Sequence, residues 1–195
     1  MAIAEGVAAS SPGLEREIEA LIDAYQHVVY GFALRLAGNP QDAEEIAQDT
    51  FVRAYRALPG YGDEQRQTLK TRPWLLQIAL NVFRNRVRTR RVATLPLETD
   101  NEDSAPLQLE GDWRERPEVA LESRERQRLL AGHLAALPPH FRAAVVLRHI
   151  EGLGYAEIGQ VLGQPVGTVK AHVHRGTRLL RAALETIEPE LSEVR

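Results

Sequence analysis

Cysteine is absent from the 195 residues, and no apolar run approaches the roughly 20 residues that a membrane-spanning helix needs. Without cysteine the chain has no disulfide, no thiolate zinc site and no cysteine nucleophile, which is typical of a protein from a reducing compartment. Residues 1–13 contain no basic n-region of a signal peptide, so we expect them to be a disordered tail. The sequence therefore predicts a cytoplasmic protein with no direct insertion into a membrane.

The overall charge is small, but it is strongly segregated along the chain. The formal net charge is −3, whereas residues 98–118 contain eight acids against two arginines. Residues 14–91 and 119–195 each carry a net charge of +2. Two mildly basic blocks joined by an acidic segment favour a nucleic-acid partner, which the overall charge conceals.

The alternation of apolar and polar residues that is typical of strands is also missing, and apolar residues recur at helical spacing instead. We expect three main helices within residues 14–91. Asn39 is predicted to cap the second of these helices, with Pro40 in its first turn, and Pro73 to open the third. The polar stretch 61–71 between them is predicted to be a loop.

Residues 92–118 hold three prolines, scattered acids and little periodicity, so we interpret them as a linker. Helical spacing resumes at about Leu121, and residues 119–195 are predicted to form a second domain. The predicted fold class is all-α, with two small helical domains joined by a flexible acidic linker.

The stretch "YAEIGQVLGQPVGTVKAHVHRGTRLL", from Tyr155, reads as a short helix, a glycine-containing turn and a longer helix. This is the layout of a helix-turn-helix. On a wheel of about 100° per residue, one side of the longer helix carries Val166, Val169, Val173, Gly176 and Leu180. The opposite face, which has no acid, carries Thr168, Lys170, Ala171, His174, Arg175 and Arg178. Such a face suits close approach to a DNA groove, although a solvated basic surface is the simpler alternative.

The histidines do not predict a metal site. His172 and His174 lie about 160° apart on the wheel, whereas two ligands of one metal on a helix usually need i, i+4 spacing. The other four histidines show no ligand-like spacing either. We therefore expect no metal, no cofactor and no catalytic residue, which argues against a metal-dependent hydrolase.

A second basic block, "RNRVRTRR", places five arginines in the eight residues 84–91. Upstream on the same predicted helix, Asn81, Asn85 and Arg88 are spaced to share one face, where amides can read base edges and guanidinium groups can hold phosphates. Favourable interaction with the helix dipole, plus solvation, is the alternative explanation for the arginines. Trp74 suits either core packing or stacking on a base.

The predicted second helix has a different character, because its acids are followed by Arg53 and Arg56. Ordinary i, i+4 pairing, as in Asp49 with Arg53, would explain this pattern. A surface that docks onto another protein would explain it as well.

Taken together, these segments resemble the extracytoplasmic-function (ECF) sigma factors of bacterial RNA polymerase. "DAEEIAQDTFVRAYRALPGY" is similar to the helix with which that family binds core polymerase. "RPWLLQIALNVFRNRVR" is similar to its promoter −10 segment, and "LPPHFRAAVVLRHIEGLGYAEIGQVLGQPVGTVKAHVHRGTRLL" to its −35 helix-turn-helix. The resemblance covers roughly residues 14–91 and 121–184, in the family's order.

The resemblance implies a role for each segment, and in all of them the polymerase does the chemistry. It implies that residues 14–91 bind the polymerase clamp through Glu45, Gln48, Asp49, Phe51, Arg53 and Arg56. It implies that the same domain binds single-stranded −10 DNA through Tyr61, Trp74, Asn81, Arg84, Asn85 and Arg88. It implies that residues 119–195 bind duplex −35 DNA through Thr168, Lys170, Ala171, His172, His174, Arg175 and Arg178. An anti-sigma partner is also implied, and the acidic linker would thread the polymerase's basic channel.

The chain departs from the family at several positions, including Ala171, where Ser or Arg is common, His172, where Arg is common, and Asn85, where Asp is common. The promoter sequence that it reads is therefore not predicted. A stand-alone helix-turn-helix regulator is the alternative function, but it leaves the first domain unexplained. An adaptor protein without DNA binding is disfavoured by the arginine run.

Overall fold

The computed structural model describes residues 12–93 and 131–185, and every element within them is helical. The predicted all-α class is confirmed for this part of the chain. Residues 131–136 are helical, and a π-helical turn, Val146–Ile150, continues α5. The helices are α1 Pro12–Ala37, α2 Pro40–Ala57, α3 Asp63–Thr68, α4 Thr71–Ala93, α5 Pro139–Val145, α6 Tyr155–Leu162 and α7 Val166–Glu185.

The corner between α1 and α2 follows the predicted capping chemistry. The side chain of Asn39 accepts a hydrogen bond from the backbone N–H of Asp42 at 2.8 Å, and Pro40 occupies the first turn of α2. This bond satisfies one of the backbone donors that the start of a helix leaves without a partner. The predicted start of the second helix is confirmed.

The first unit is built from α1, α2 and α4, which pack against one another around one apolar core. Thr50 lies within this core, and its hydroxyl donates to the backbone carbonyl of Ile46 at 2.6 Å. The largest side chains that are fully buried in this unit are Val29, Phe32, Leu34, Leu36, Ile46, Leu58, Leu75, Leu76, Leu80 and Val82.

The second unit packs α7 against α5 and α6, with Ile158, Val169 and Val173 buried between the helices. Gly163 ends α6 in the left-handed region, at φ +66°, which glycine adopts without a steric penalty. This residue makes the tight turn that sets α7 across α6. The predicted helix-turn-helix is thus present, and its short helix, α6, begins at Tyr155.

Several helix boundaries differ from the sequence-based predictions. The polar stretch 61–71 contains the short helix α3, and α4 begins at Thr71, two residues before Pro73. Proline lacks only a donor that the first helical turn leaves unused, so α4 accommodates Pro73 in that turn. The predicted tail 1–13 and linker 92–118 lie outside the described residues, except that α1 begins at Pro12 and α4 continues to Ala93.

Candidate nucleic-acid interface

The polar face of α7 is open to solvent. Val169 and Val173 are buried beneath this helix, as its periodicity predicts, whereas Val166 in its first turn is 40% exposed instead of packed. The predicted base-contacting side chains on the other face are all exposed, namely Thr168, Lys170, Ala171, His174, Arg175 and Arg178. The structure therefore brings these residues together on one cationic surface.

The close packing of α7 on α5 depends on Gly176. A Cβ atom at this position would lie 2.6 Å from Cγ2 of Val145 and 3.3 Å from the carbonyl oxygen of Phe141. Only glycine lets the two helices approach this closely without a shift. Gly176 therefore determines how closely α7, and with it the cationic surface, packs against α5.

Tyr155 lies between two cations of the second unit. The guanidinium carbon of Arg148 is 4.6 Å from the centre of its ring, and Nζ of Lys170 is 5.7 Å from it. Both distances fall within the range of cation–π attraction. Tyr155 thus restrains Lys170 at the edge of the cationic surface, a contact that the sequence pattern did not indicate.

His172 stands apart from the other residues of this surface, because it packs back against α5. Its ring centre is 5.1 Å from that of His140 and 5.4 Å from that of Phe141. Nδ1 of His172 is buried without a hydrogen-bond partner among the described residues. Desolvation, together with the charges of His140 and Arg175, lowers the pKa of His172, so the neutral imidazole is favoured at pH 7.

The outer face of α4 presents the residues predicted to meet single-stranded DNA. Asn81, Arg84, Asn85 and Arg88 are all exposed. Nη2 of Arg88 donates to Oδ1 of Asn85 at 3.4 Å, so amide and guanidinium groups share one side of the helix. The predicted i, i+4, i+7 face is present.

Two of the five clustered arginines are used inside the first unit instead. Arg86 forms ion pairs with Glu45 and, at 3.3 Å, with Asp49, and Arg90 binds Asp42 with two hydrogen bonds of 2.6 and 2.7 Å. These contacts clamp α4 onto α2. They also show that Asp49 pairs with Arg86 of α4, whereas the sequence suggested a pairing with Arg53 on its own helix.

The charge on Asp42 is stabilised by this arrangement. Burial acts to raise the pKa of its carboxyl, but hydrogen bonds from Arg90 and Asn39 and the charges of Arg90 and Arg86 outweigh burial and lower the pKa. Asp42 therefore remains a carboxylate to lower pH than an exposed aspartate does.

A cavity of about 520 Å³ opens beside α3 and the first half of α4. Tyr61 and Trp74 form one wall, with their rings edge to face at 5.9 Å and with Nε1 of Trp74 donating to the Tyr61 hydroxyl at 3.2 Å. Trp74 is only 9% exposed, so it contributes little open surface to the cavity and lies mostly buried behind this wall. The sequence-based prediction identified both aromatic residues but missed the polar side chains around them, Gln65, Thr68, Lys70 and Gln77. The i, i+4 spacing of Gln77 and Asn81 was the one signal that could have identified Gln77.

The opposite wall of the cavity comes from α6 of the second unit, through Ala156, Glu157, Gln160 and Val161. Nζ of Lys70 donates to Oε1 of Glu157 at 2.8 Å, and the backbone N–H of Gly154 donates to Oε2 at 3.1 Å. The bond from Lys70, and then that from Gly154, lowers the pKa of Glu157.

The outer face of α2 is polar, with Gln48, Arg53 and Arg56 exposed. Phe51, which the resemblance implies as a docking residue, is 9% exposed and belongs to the core, so its part in docking stays a prediction. Its neighbour Val52 is 47% exposed and is the apolar residue that this face offers. Glu45 and Asp49 lie on the same helix but are engaged by Arg86.

Two further features of the described residues bear on function. Within residues 12–93 and 131–185, His, Asp and Glu side chains form no group of three that could hold a metal ion. No helix in these two ranges is long and apolar enough to cross a membrane.

Two family models match the chain, and they match it in series. Residues 21–92 match the model described as Sigma-70 region 2, and residues 127–180 match Sigma-70, region 4. The first range contains α2, the cavity wall of Tyr61 and Trp74 and the exposed face of α4. The second range contains the helix-turn-helix with its cationic surface.

Curated relatives align along most of the chain. The ECF RNA polymerase sigma factor SigE of Mycolicibacterium smegmatis is 38% identical, with 89% of this chain and 63% of that protein aligned. The chain thus spans somewhat less than two thirds of that relative. SigW of Bacillus subtilis is 34% identical over 86% of this chain and 88% of its own length. The RNA polymerase sigma-H factor of Pseudomonas aeruginosa is 32% identical over 90% of both chains.

Solved structures show the same fold. The sigma factor RpoE of Bartonella quintana, determined in complex with the anti-sigma factor NepR, has a TM-score of 0.62 at 20% identity and covers 90% of this chain and 98% of its own. CnrH, determined in complex with the cytosolic domain of CnrY, has a TM-score of 0.58 at 26% identity and covers 88% of this chain and 90% of its own.

Proposed function

The chain belongs to the ECF sigma factors and is an alternative sigma factor that directs transcription initiation, and from this premise we propose which of its surfaces performs each step. The observation that carries the assignment of surfaces is the exposed cationic face of α7 within a helix-turn-helix, in series with a region 2 unit. A stand-alone regulator would leave the match over residues 21–92 without a purpose.

The cationic surface of α7 binds the duplex −35 element. The second helix of a helix-turn-helix enters the major groove, where Lys and Arg reach guanine edges or phosphates. Lys170 and Arg175 make the main base contacts, Arg178 binds phosphate, and Ala171 allows close approach. Thr168, His172 and His174 complete the contact, with His172 at its edge.

The first unit binds the single-stranded −10 element. A base leaving the duplex costs a few kcal/mol, which stacking and base-edge contacts of about 1–3 kcal/mol each offset. The cavity beside Tyr61 and Trp74 receives such a base. Asn81 and Asn85 meet base edges, and Arg84 and Arg88 hold the backbone.

The polar face of α2 docks on the clamp of core RNA polymerase. Gln48, Arg53 and Arg56 supply its exposed polar groups, and Val52 supplies apolar area at its centre. Glu45 and Asp49 contribute less directly, because their carboxylates are already engaged by Arg86.

The segment between the two units is proposed to act as an acidic strap. Its residues 98–118 carry a net charge of −6, which suits a basic channel built for nucleic acid. We place the functional boundaries at 14–91 for polymerase and −10 binding and at 119–195 for −35 binding.

An anti-sigma factor is the proposed regulatory partner. CnrH, at 26% identity, was determined together with the cytosolic domain of CnrY, which supports a partner of that kind for this chain. The chain itself is proposed to have no catalytic role, since the polymerase performs the chemistry. It works where that polymerase works, in the cytoplasm.

Association with purified core polymerase tests this assignment. We expect the protein to co-elute with core enzyme in gel filtration, and the substitution Val52→Glu to weaken that complex while Glu19→Gln, an exposed change on α1, leaves it intact. A protein that is folded but never co-elutes with core enzyme would instead be a stand-alone regulator.

A further inference from the structure

We propose that Arg66 of α3, a residue that no motif in the sequence indicated, positions Tyr61 and thereby determines which base the cavity beside Tyr61 and Trp74 prefers. The role given to Arg66 rests on the assignment of this cavity, called the −10 pocket below, to an unpaired base. It adds a residue that governs base preference without touching the base.

The guanidinium group of Arg66 joins three parts of the first unit. Nη2 donates to the carbonyl of Leu58, just after α2, at 2.9 Å, and Nε donates to the carbonyl of Tyr61 at 3.0 Å. Nη1 donates to Oε2 of Glu17 in α1 at 3.2 Å, which also pairs the two charges. Each of the three guanidinium nitrogens therefore has an acceptor within the protein.

Leu58 is the fixed end of this network, because its side chain is 1% exposed within the apolar core. Its carbonyl also accepts a hydrogen bond from the backbone N–H of Tyr61 at 3.1 Å. A guanidinium group is planar and its donors have fixed directions, so Arg66 holds the carbonyls of Leu58 and Tyr61 at one separation. Both backbone polar groups of Tyr61 are thereby tied to one carbonyl of the core.

The same network fixes α3 against the pocket. The backbone N–H of Arg66 donates to the carbonyl of Gly62 at 3.0 Å, and the N–H of Gly62 donates to Oε1 of Gln65 at 3.2 Å. Gln65 and Thr68 line the pocket beside Tyr61. A site whose polar groups are held in place rejects a base that leaves one of them unpaired, so the anchoring of this wall bears on base preference.

The engagement of Arg66 separates it from the arginines proposed to hold the DNA backbone. Its charge is paired with Glu17, and its side chain is 30% exposed. Lysine at this position would keep the charge, but its single nitrogen lacks the planar fork that joins two carbonyls. Retention or loss of function with Arg66→Lys therefore distinguishes a contact to phosphate from the positioning of Tyr61.

Binding of the holoenzyme to fork-junction DNA tests the proposal. The DNA derives from a promoter that the unsubstituted holoenzyme transcribes, and each position of its single-stranded −10 strand is changed in turn to the other three bases. We expect the unsubstituted protein to prefer one base at one position by about tenfold or more. Arg66→Gln and Arg66→Lys should each reduce this preference to about threefold or less, with preferences at the other positions and association with core polymerase unchanged. Glu64→Gln, an exposed change on the same helix, is the matched control and should keep the full preference.

A double substitution shows whether Arg66 acts through Tyr61. Tyr61→Ala should remove the same preference, and the addition of Arg66→Gln should reduce it by less than about twofold further, because residues that act as a unit are not additive. If Arg66 instead contacts phosphate, Arg66→Gln weakens the binding of all bases alike, Arg66→Lys retains binding, and the effect of Arg66→Gln adds in full to that of Tyr61→Ala. That set of results would overturn the proposal.

The emission of Trp74 reports the position of Tyr61 directly, because Nε1 of Trp74 donates to the Tyr61 hydroxyl at 3.2 Å. The chain has two tryptophans, so Trp113→Phe leaves Trp74 as the single emitter in the free full-length protein. In this background Arg66→Gln should shift the emission to the red and increase its quenching by acrylamide, with an unchanged far-ultraviolet circular dichroism spectrum. Unchanged emission would mean that Tyr61 keeps its position without Arg66, which contradicts the proposal.

The result with the unsubstituted protein separates failure of the proposal from failure of the function. If the unsubstituted holoenzyme transcribes its promoter and Arg66→Gln keeps the base preference, Arg66 serves the fold alone and the proposal is overturned. If the unsubstituted protein supports no transcription and prefers no base, the assignment of the −10 pocket fails, and the role of Arg66 fails with it.

Discussion

Asp42 shows how a single side chain can fix the relative orientation of two helices, α2 and α4. Its carboxylate accepts two hydrogen bonds from Arg90 and one from Nδ2 of Asn39 at 2.8 Å, at the start of α2. One residue thereby holds the side chain of the N-cap residue Asn39 and fixes α4 against α2. This contact holds in one orientation the face of α2 that we propose docks on polymerase and the face of α4 that we propose meets DNA.

Replacement of Asp42 with Asn should lower the free energy of unfolding by about 1–3 kcal/mol at pH 7, because charge-assisted hydrogen bonds to Arg90 are lost. The folded-state pKa of Asp42 is lowered, so its contribution is full above the unfolded pKa of about 3.9 and is lost as pH falls through the folded value. Urea unfolding at pH 7 and below about pH 3 measures both effects. The difference in free energy of unfolding between the variant and the unsubstituted protein should become smaller in acid. Glu44→Gln, an exposed change on the same helix, should cause no such difference at either pH. An equal difference at both pH values would show that the charge of Asp42 does not contribute.

Arg175 and Arg178 should differ in the kind of binding energy that they supply. We expect Arg175→Ala to cost about 1–3 kcal/mol on the preferred −35 duplex and to relax discrimination between variants. Arg178→Ala should weaken all duplexes alike and reduce the dependence of affinity on salt. Fluorescence anisotropy of the full-length protein with core polymerase, on a panel of −35 duplexes at two salt concentrations, distinguishes the two effects. If both variants bind every duplex with wild-type affinity, this surface faces solvent and does not bind DNA.

At the scale of elements, α7 is positioned by the helix on which it rests. The cationic surface projects from a helix whose buried side crosses α5 at Gly176, with no room for a side chain. The position of the residues that we propose read DNA is therefore set by the packing of α7 on α5, not by those residues themselves.

Gly176→Ala should destabilise the second unit by about 1–3 kcal/mol, since the added methyl group must displace Val145 or the Phe141 backbone. Gly167→Ala is the matched control in the same helix, because a Cβ there meets nothing within 4 Å. That control should be neutral or stabilising by up to about 1 kcal/mol, as alanine favours helix more than glycine does. Thermal unfolding followed by circular dichroism compares the two, and equal melting temperatures would mean that α7 moves away from α5 at no cost.

Helix α4 has two working faces, one tied to α2 by Arg86 and Arg90 and one exposed with Asn81 and Asn85. Asn81→Ala should therefore leave the fold and polymerase binding intact and slow promoter opening about tenfold or more, the effect of losing one base-edge contact. Permanganate footprinting of the −10 region measures promoter opening, and a gel-filtration assay measures binding to core polymerase. Equal loss in the two assays would show that Asn81 supports structure instead.

At the scale of the whole molecule, local sequence signals predicted the helices and the helix-turn-helix but not how the two units meet. The spacing of apolar residues specifies α1, α2, α6 and α7, and capping by Asn39 follows from local chemistry. The short helix α3 escaped prediction because its sequence, "DEQRQT", buries no apolar stripe.

Partners far apart in sequence account for the remaining differences. Arg90 finds Asp42 at a separation of 48 residues and Arg72 finds Glu151 at 79, and no periodicity encodes such pairings. For this reason the arginine run itself did not indicate that Arg86 and Arg90 would clamp α4 to α2. The burial of Glu151 likewise had no local signal.

Transcription initiation by purified core polymerase, with and without this protein, tests the central claim most directly. Fragmented genomic DNA of the host serves as template, and the 5′ ends of the transcripts are mapped. We expect core enzyme alone to give no defined start sites, and the added protein to give a set whose upstream DNA shares one −35 and one −10 sequence. A folded protein that adds no start sites to those of core enzyme would contradict its function as a sigma factor.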